Sequence, residues 1–129
     1  LARELLSLTA LVKPNEHEAA RLTGLAVTDR ASAHRATAHL LDQGAPRAIV
    51  TLGGQGAVWR DTSSHGECET PPVEVVDTTA AGDAFTGALA CAFALDRDLA
   101  KAVQLGCRAG ALAATRRGAR PSLPRRSEL

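Results

Sequence analysis

The segment Asp77-Thr78-Thr79-Ala80-Ala81-Gly82-Asp83-Ala84-Phe85-Thr86-Gly87-Ala88 constrains this chain more than any other. An apolar, β-branched run (Val73, Val75, Val76) leads into it, and an alanine, leucine and phenylalanine pattern at helical spacing follows. The expected local structure is a strand over Val73–Val76, a tight turn of small residues, and a helix over Ala81–Leu95 with Phe85, Ala88, Leu89, Ala92 and Phe93 on one face. The first amides of a helix lack intrahelical acceptors and sit at the positive end of its dipole, so they form an anion site. Small side chains at Ala80, Ala81 and Gly82 let a phosphate come close to the backbone. Asp83 then stands where a carboxylate can take a proton from a hydroxyl attacking that phosphate. Taken singly, Asp83 is also an ordinary acidic residue of a helix first turn. In its setting, the residues point to phosphoryl transfer to an alcohol.

These residues resemble the signature of the ribokinase family of carbohydrate kinases, most of whose members carry Gly-Ala-Gly-Asp where this chain has Ala80-Ala81-Gly82-Asp83. Lys13-Pro14-Asn15-Glu16-His17-Glu18, followed by Leu22-Thr23-Gly24, resembles that family's Asn-x-x-Glu motif. Thr51-Leu52-Gly53-Gly54-Gln55-Gly56 is similar to its adenine-nucleotide loop, and the stretch from Thr115 to Pro124 is similar to its C-terminal cation loop. The motifs fall in the family's order and span nearly the whole chain, so residues 1–129 read as the C-terminal part of one such domain. The resemblance implies an α/β fold, a three-layer α/β/α sandwich, with the N-terminal part and the lid outside this sequence. The activity it implies is ATP-dependent phosphorylation of D-ribose at the 5-hydroxyl. Kinases of fructose, a nucleoside or a sugar phosphate are alternatives, because the family's sugar-binding residues lie mainly in the N-terminal part. A non-catalytic nucleotide-binding fragment is another.

By the same resemblance, Asp83 is the catalytic base and touches the sugar, while the amides of Ala81, Gly82 and Asp83 hold charge on the transferred phosphoryl group. Asn15, Thr51, Leu52, Gly53, Gly54, Gln55, Gly56, Gly82 and Cys107 are expected at ATP. Glu18 is expected to serve magnesium through water, which suits an ion that keeps much of its hydration. Asp77, Thr79, Ala113, Arg116, Gly118 and Ser122 are expected to cage potassium, mostly with carbonyl oxygens that replace its water shell. Each group also has a plainer reading. Asn15 is a good N-cap, Gly53–Gly56 suits a β-turn, and Gly118 with Pro121 shapes a loop. There is no G-x-x-x-x-G-K-[ST] anywhere, so phosphates would have to be held by something other than a Walker loop. His17 is read as a surface residue.

The 129 residues suffice for one domain with a moderate core. Aromatics are scarce, leaving alanine and leucine to pack the helices. A net charge of +1 gives no strong pull toward nucleic acid or membrane. The run Arg116, Arg117, Arg120, Arg125 and Arg126 reads as a solvated tail, because aromatics for base stacking are missing. The partners expected are therefore a small sugar and ATP, with a homodimer open for the full-length protein. Cys68, Cys91 and Cys107 lack C-x-x-C spacing and suit free thiols in a reducing cytoplasm, with Cys91 expected to be buried. No run reaches the roughly 18 apolar residues of a membrane span, and no signal peptide is evident. The chain contains no methionine and opens inside an amphipathic pattern of Leu1, Leu5, Leu6 and Leu8, as expected of a piece of a longer protein or a processed form.

Other expected elements are a helix tail over residues 1–8, a short strand over Ala10–Lys13, and a helix from Pro14-Asn15 to Thr23 stopped by Gly24. A helix capped by Asp29 runs to Gly44, followed by a fully buried strand of parallel type over Ala48–Leu52. An antiparallel pair is expected at Gly56–Arg60 and Cys68–Thr70, and a last helix over Asp98–Thr115, whose Gly106 and Gly110 suggest close helix packing.

Overall fold

A computed structural model describes residues 3–129, in two compact units that part between Glu67 and Cys68. In the first unit the elements run α1 (Arg3–Ser7), α2 (Glu16–Thr23), α3 (Arg30–Asp42), β1 (Arg47–Thr51), β2 (Ala57–Asp61) and β3 (His65–Cys68), whose last residue opens the second unit. The second unit then carries α4 (Ala81–Asp96) and α5 (Leu99–Ala114).

The helix boundaries follow the capping chemistry of the sequence. Asn15 and Asp29 cap α2 and α3 in reciprocal capping boxes with Glu18 and Ser32, and Gly24 ends α2 in the left-handed conformation. Asp98 caps α5 through the Lys101 amide. In the first unit, Ala19, Val27, Ala33, Ala36, Val50, Leu52 and Val58 make one buried cluster, and Leu6, Leu40, Ala45 and Ala48 make another. Leu6 is buried, but Leu5 and Leu8 are exposed, and Leu1 lies outside the described residues.

The sheet order is β1-β2-β3, with β1 antiparallel to β2 from Arg47 opposite Asp61 to Thr51 opposite Ala57. On its other edge, β1 meets the chain around Val12 and Asn15 through isolated parallel bridges. The expected strand over Ala10–Lys13 is thus reduced to bridge contacts, and β1 is parallel on one edge only. The third strand lies at His65–Cys68 rather than Cys68–Thr70. Asp61 tightens the preceding turn by accepting hydrogen bonds from the amides of Ser63 and Ser64 at 2.8 and 2.7 Å, so the chain re-enters the sheet sooner.

In the second unit α4 lies on α5 with Phe85, Leu89 and Phe93 buried, each contributing about 1.5–3 kcal/mol by leaving water. The two glycines of α5 make this approach possible. A Cβ on Gly106 would lie 3.1 Å from the Phe85 ring, and one on Gly110 would lie 3.0 Å from the Ala81 carbonyl oxygen. Two expectations fail here. Val73–Val76 forms no strand; Val73, Val75 and Val76 are exposed, and the hydrogen bonds that fasten this stretch run from the Val76 and Asp77 amides to the Ala114 carbonyl oxygen at 2.8 and 3.1 Å. A β-branched run becomes a strand only beside a partner edge, and none meets it among the described residues. Cys91 is exposed, not buried, because the face of α4 turned to α5 is the one carrying Phe85, Leu89 and Phe93. Among the described residues no helix is long and apolar enough to cross a membrane.

Candidate functional site

The start of α4 lacks the device that closes the starts of α2, α3 and α5. Its N-cap is Ala80, at φ −107° and ψ 7°, and no side chain caps it. The Ala81 amide donates to the Thr78 carbonyl oxygen at 3.1 Å, while Gly82 and Asp83, second and third in the helix, have no carbonyl one turn back to accept theirs. Gly82 and Asp83 are exposed, and a Cβ added to Gly82 would meet nothing within 4 Å. Asp83 also lines a trough of about 950 Å³ that continues along α4 past Gly87, Cys91 and Leu95. An exposed pair of amides, a carboxylate and open space thus coincide at one helix end.

The loop before α4 is organised by Asp77. Its carboxylate accepts the Thr79 amide at 2.9 Å, the Thr79 hydroxyl, and, from far along the chain, the Gly118 amide at 2.9 Å. These hydrogen bonds, the Thr79 hydroxyl first, hold its pKa down at about 2. Asp77, Thr79 and Gly118 are therefore brought together. Nearby in sequence, Ser122 is buried and donates its hydroxyl to the Ala119 carbonyl oxygen at 2.7 Å, and the Ala113 carbonyl accepts the Arg116 amide at 3.1 Å. The Arg116 guanidinium grips the Glu128 carboxylate through both terminal nitrogens. Glu128 also accepts the Arg125 amide at 2.7 Å, and Arg116 foremost brings its pKa to about 2. Sequence reasoning passed over Glu128, since a carboxylate two residues from the chain end carries no motif.

In the first unit, Asn15 and Glu18 are joined in the capping box at 2.9 Å in both directions. His17 is exposed. Residues Leu52 to Gly56 form a tight loop, with the Leu52 amide on the Gly56 carbonyl oxygen at 2.8 Å and the Gln55 amide on that of Leu52 at 3.0 Å. Gly53 and Gly56 have φ of 53° and 93°, a region that side chains disfavour, and Gly53, Gly54 and Gln55 are exposed. Sequence reasoning missed Arg30, which donates to the Gln55 carbonyl oxygen at 3.1 Å; as the first residue of α3 it shows no pattern that would mark it. In the second unit, Cys107 is buried with its thiol 4.0 Å from the Cys68 carbonyl oxygen, and burial, then Cys68, pushes its pKa up to about 12. Such a thiol packs; it does not react. Among the described residues no three or more His, Cys, Asp and Glu side chains are grouped so as to hold a metal ion.

Known proteins share both the sequence and this fold. The ribokinase of Haemophilus influenzae is 39% identical over 132 residues, covering 99% of this chain and 42% of its own. A crystal structure of ribokinase from Thermotoga maritima matches 98% of this chain and 42% of its own, with a TM-score of 0.86 and 34% identity. The Arabidopsis thaliana ribokinase solved with ribose and ATP matches 98% of this chain and 41% of its own, with a TM-score of 0.89 and 31% identity. The expected fold class is therefore the one these structures have, and the chain spans about two-fifths of their length. The model of the pfkB family carbohydrate kinases matches residues 1–126, and this chain belongs to that family.

Proposed function

We propose that this chain supplies the nucleotide-binding and proton-accepting part of an ATP-dependent sugar kinase whose substrate is D-ribose, phosphorylated at the 5-hydroxyl. The observation that carries the reading is the open start of α4, where exposed Gly82 amide and Asp83 carboxylate stand beside a trough. The Asp83 carboxylate accepts the proton of the sugar hydroxyl as its oxygen bonds to the γ-phosphorus of ATP, while the bond from that phosphorus to the bridging oxygen breaks and ADP leaves with the electron pair. A carboxylate serves as the acceptor because the hydroxyl proton becomes acidic only as the new bond forms. The amides of Gly82 and Asp83 receive the negative charge that gathers on the transferred phosphoryl oxygens, already oriented before the reaction begins. Ala81 contributes less, its amide being engaged by Thr78. The ribose assignment rests on the likeness to ribokinases of bacteria and a plant.

Within the first unit, the exposed Gly53–Gln55 backbone, with Thr51, Leu52, Gly56 and Asn15, is the contribution to the nucleotide. In the second, buried Cys107 shapes a wall rather than donating to a ligand. Magnesium, when bound, neutralises phosphate charge. Glu18, whose carboxylate is held at the start of α2, would fit a water-mediated contact to it. Asp77, Thr79, Ala113, Arg116, Gly118 and Ser122 offer oxygen donors only, one of them a carboxylate held ionised, which fits potassium. The protein would act in the cytoplasm.

The test is Asp83→Asn in the complete kinase, with ribose, deoxyribose, fructose and fructose 6-phosphate as acceptors and coupled detection of ADP. Ribose should give the highest kcat/KM, and the variant should lose turnover while keeping its affinity for ATP. Unchanged turnover in Asp83→Asn would leave only a nucleotide-binding module; a different preferred acceptor would reassign the substrate.

A further inference from the structure

We propose that Arg30 is a positioning residue for the nucleotide: it clamps the apex of the Leu52–Gly56 loop and so sets affinity for ATP without touching the reacting atoms. The proposal rests on that loop's assignment to ATP. The loop needs a clamp because of what it is made of. Two of its residues are glycines at positive φ and its middle is exposed, so the hydrogen bonds within its backbone stand open to water. Ordering such backbone costs conformational entropy, a cost that falls on ligand binding unless the protein has already met it.

The Arg30 guanidinium reaches the loop from outside. One terminal nitrogen donates to the Gln55 carbonyl oxygen at 3.1 Å, and the other lies 3.6 Å from the Glu67 carboxylate on β3. Glu67 in turn lies 3.9 Å from the His34 imidazole, which stands edge-to-face with His65. The ion pair is exposed and contributes little stability by itself. Its use is aim: a planar fork held at one nitrogen keeps the other pointed at Gln55. The base of the arm is fixed as well. Arg30 follows Asp29, whose carboxylate accepts the Ser32 amide at 2.7 Å and hydroxyl at 2.6 Å, so the first turn of α3 cannot fray easily. An arm from α3, aimed by a carboxylate on β3, thereby holds one carbonyl at the exposed middle of this loop.

The experiment measures two things on the complete kinase and its Arg30→Ala, Arg30→Lys and Glu67→Gln variants: amide hydrogen exchange and binding of MgATP by calorimetry. Arg30→Ala should speed exchange at Gly53–Gly56 while leaving α2 and β1 unchanged, and weaken MgATP about three- to tenfold, the range one hydrogen bond supports. Arg30→Lys should restore part of both effects, and Glu67→Gln should give a smaller loss. Unaltered exchange in the loop of Arg30→Ala overturns the clamp. A loosened loop with unaltered MgATP affinity overturns its role in nucleotide binding. If MgATP bound to the unsubstituted complete kinase leaves exchange at Gly53–Gly56 unchanged, the assignment of the loop to ATP fails and takes this role with it, while the exchange data without nucleotide still report whether Arg30 holds Gln55.

Discussion

At the start of α2 the Asn15 side chain takes the Glu18 amide and the Glu18 carboxylate returns to the Asn15 amide, each at 2.9 Å. At the start of α4, Ala80 has no side chain able to accept, and the nearest upstream carboxylate, Asp77, is engaged by Thr79 and Gly118. Both helices leave the same amides without intrahelical partners. One fills the third of them, that of Glu18, from its own sequence; the other leaves Gly82 and Asp83 open toward solvent. The difference teaches where stability and chemistry part. A helix end whose third amide is taken by its own cap offers an anion fewer free amides, and one built from alanine and glycine gives up a cap worth about 0.5–2 kcal/mol.

The contrast breaks most visibly at Asp83. Asp83→Asn should lower turnover of the complete kinase by about 10²–10⁴-fold, the range of general-base catalysis, with thermal stability unmoved. Next comes Asn15→Ala, which should cost about 0.5–2 kcal/mol in urea denaturation without nucleotide, because the box loses its acceptor. Gly82→Ala sharpens the comparison. The added methyl has open space and a better helix propensity, so stability should rise by up to about 1 kcal/mol while phosphoryl transfer falls. A variant that lost stability would show that the turn is packed rather than open. The smallest effect concerns acid. Asp77 titrates at about 2 in the fold against 3.8 as its ordinary value, so its contribution is complete above about pH 3.8 and is lost as the pH falls toward 2. Acid unfolding of Asp77→Asn should lack that part of the pH dependence.

Much of this was legible in the residues themselves. Asn15, Gly24, Asp29 and Asp98 announced helix ends because capping is a local interaction between neighbours. Gly106 and Gly110 announced a close helix contact because only a missing side chain permits one. Val73–Val76 misled because a strand is defined by its partner, and β-branching says nothing of whether one is present. Cys91 misled because α4 is apolar nearly all round, and its sequence does not say which face meets α5. At the site, the motif named Asp77 and Asp83, but not the bonds that organise them. Gly118 reaches Asp77 across 41 residues, and Arg30 reaches Gln55 across 25; such partners are set by tertiary placement, which no local pattern encodes.

The seat beneath Ala81 carries a consequence for how this activity could drift. Because position 110 on α5 has no side chain, the mouth of α4 rests directly on a neighbouring backbone, and a carbon added there would press on the Ala81 carbonyl oxygen at 3.0 Å. A single methyl there would lift the amides without altering one atom that meets a phosphate. Tuning of the reaction by chance substitution should therefore surface on a helix that holds no reactive group, in the small residues behind the scene rather than in the acid at its front.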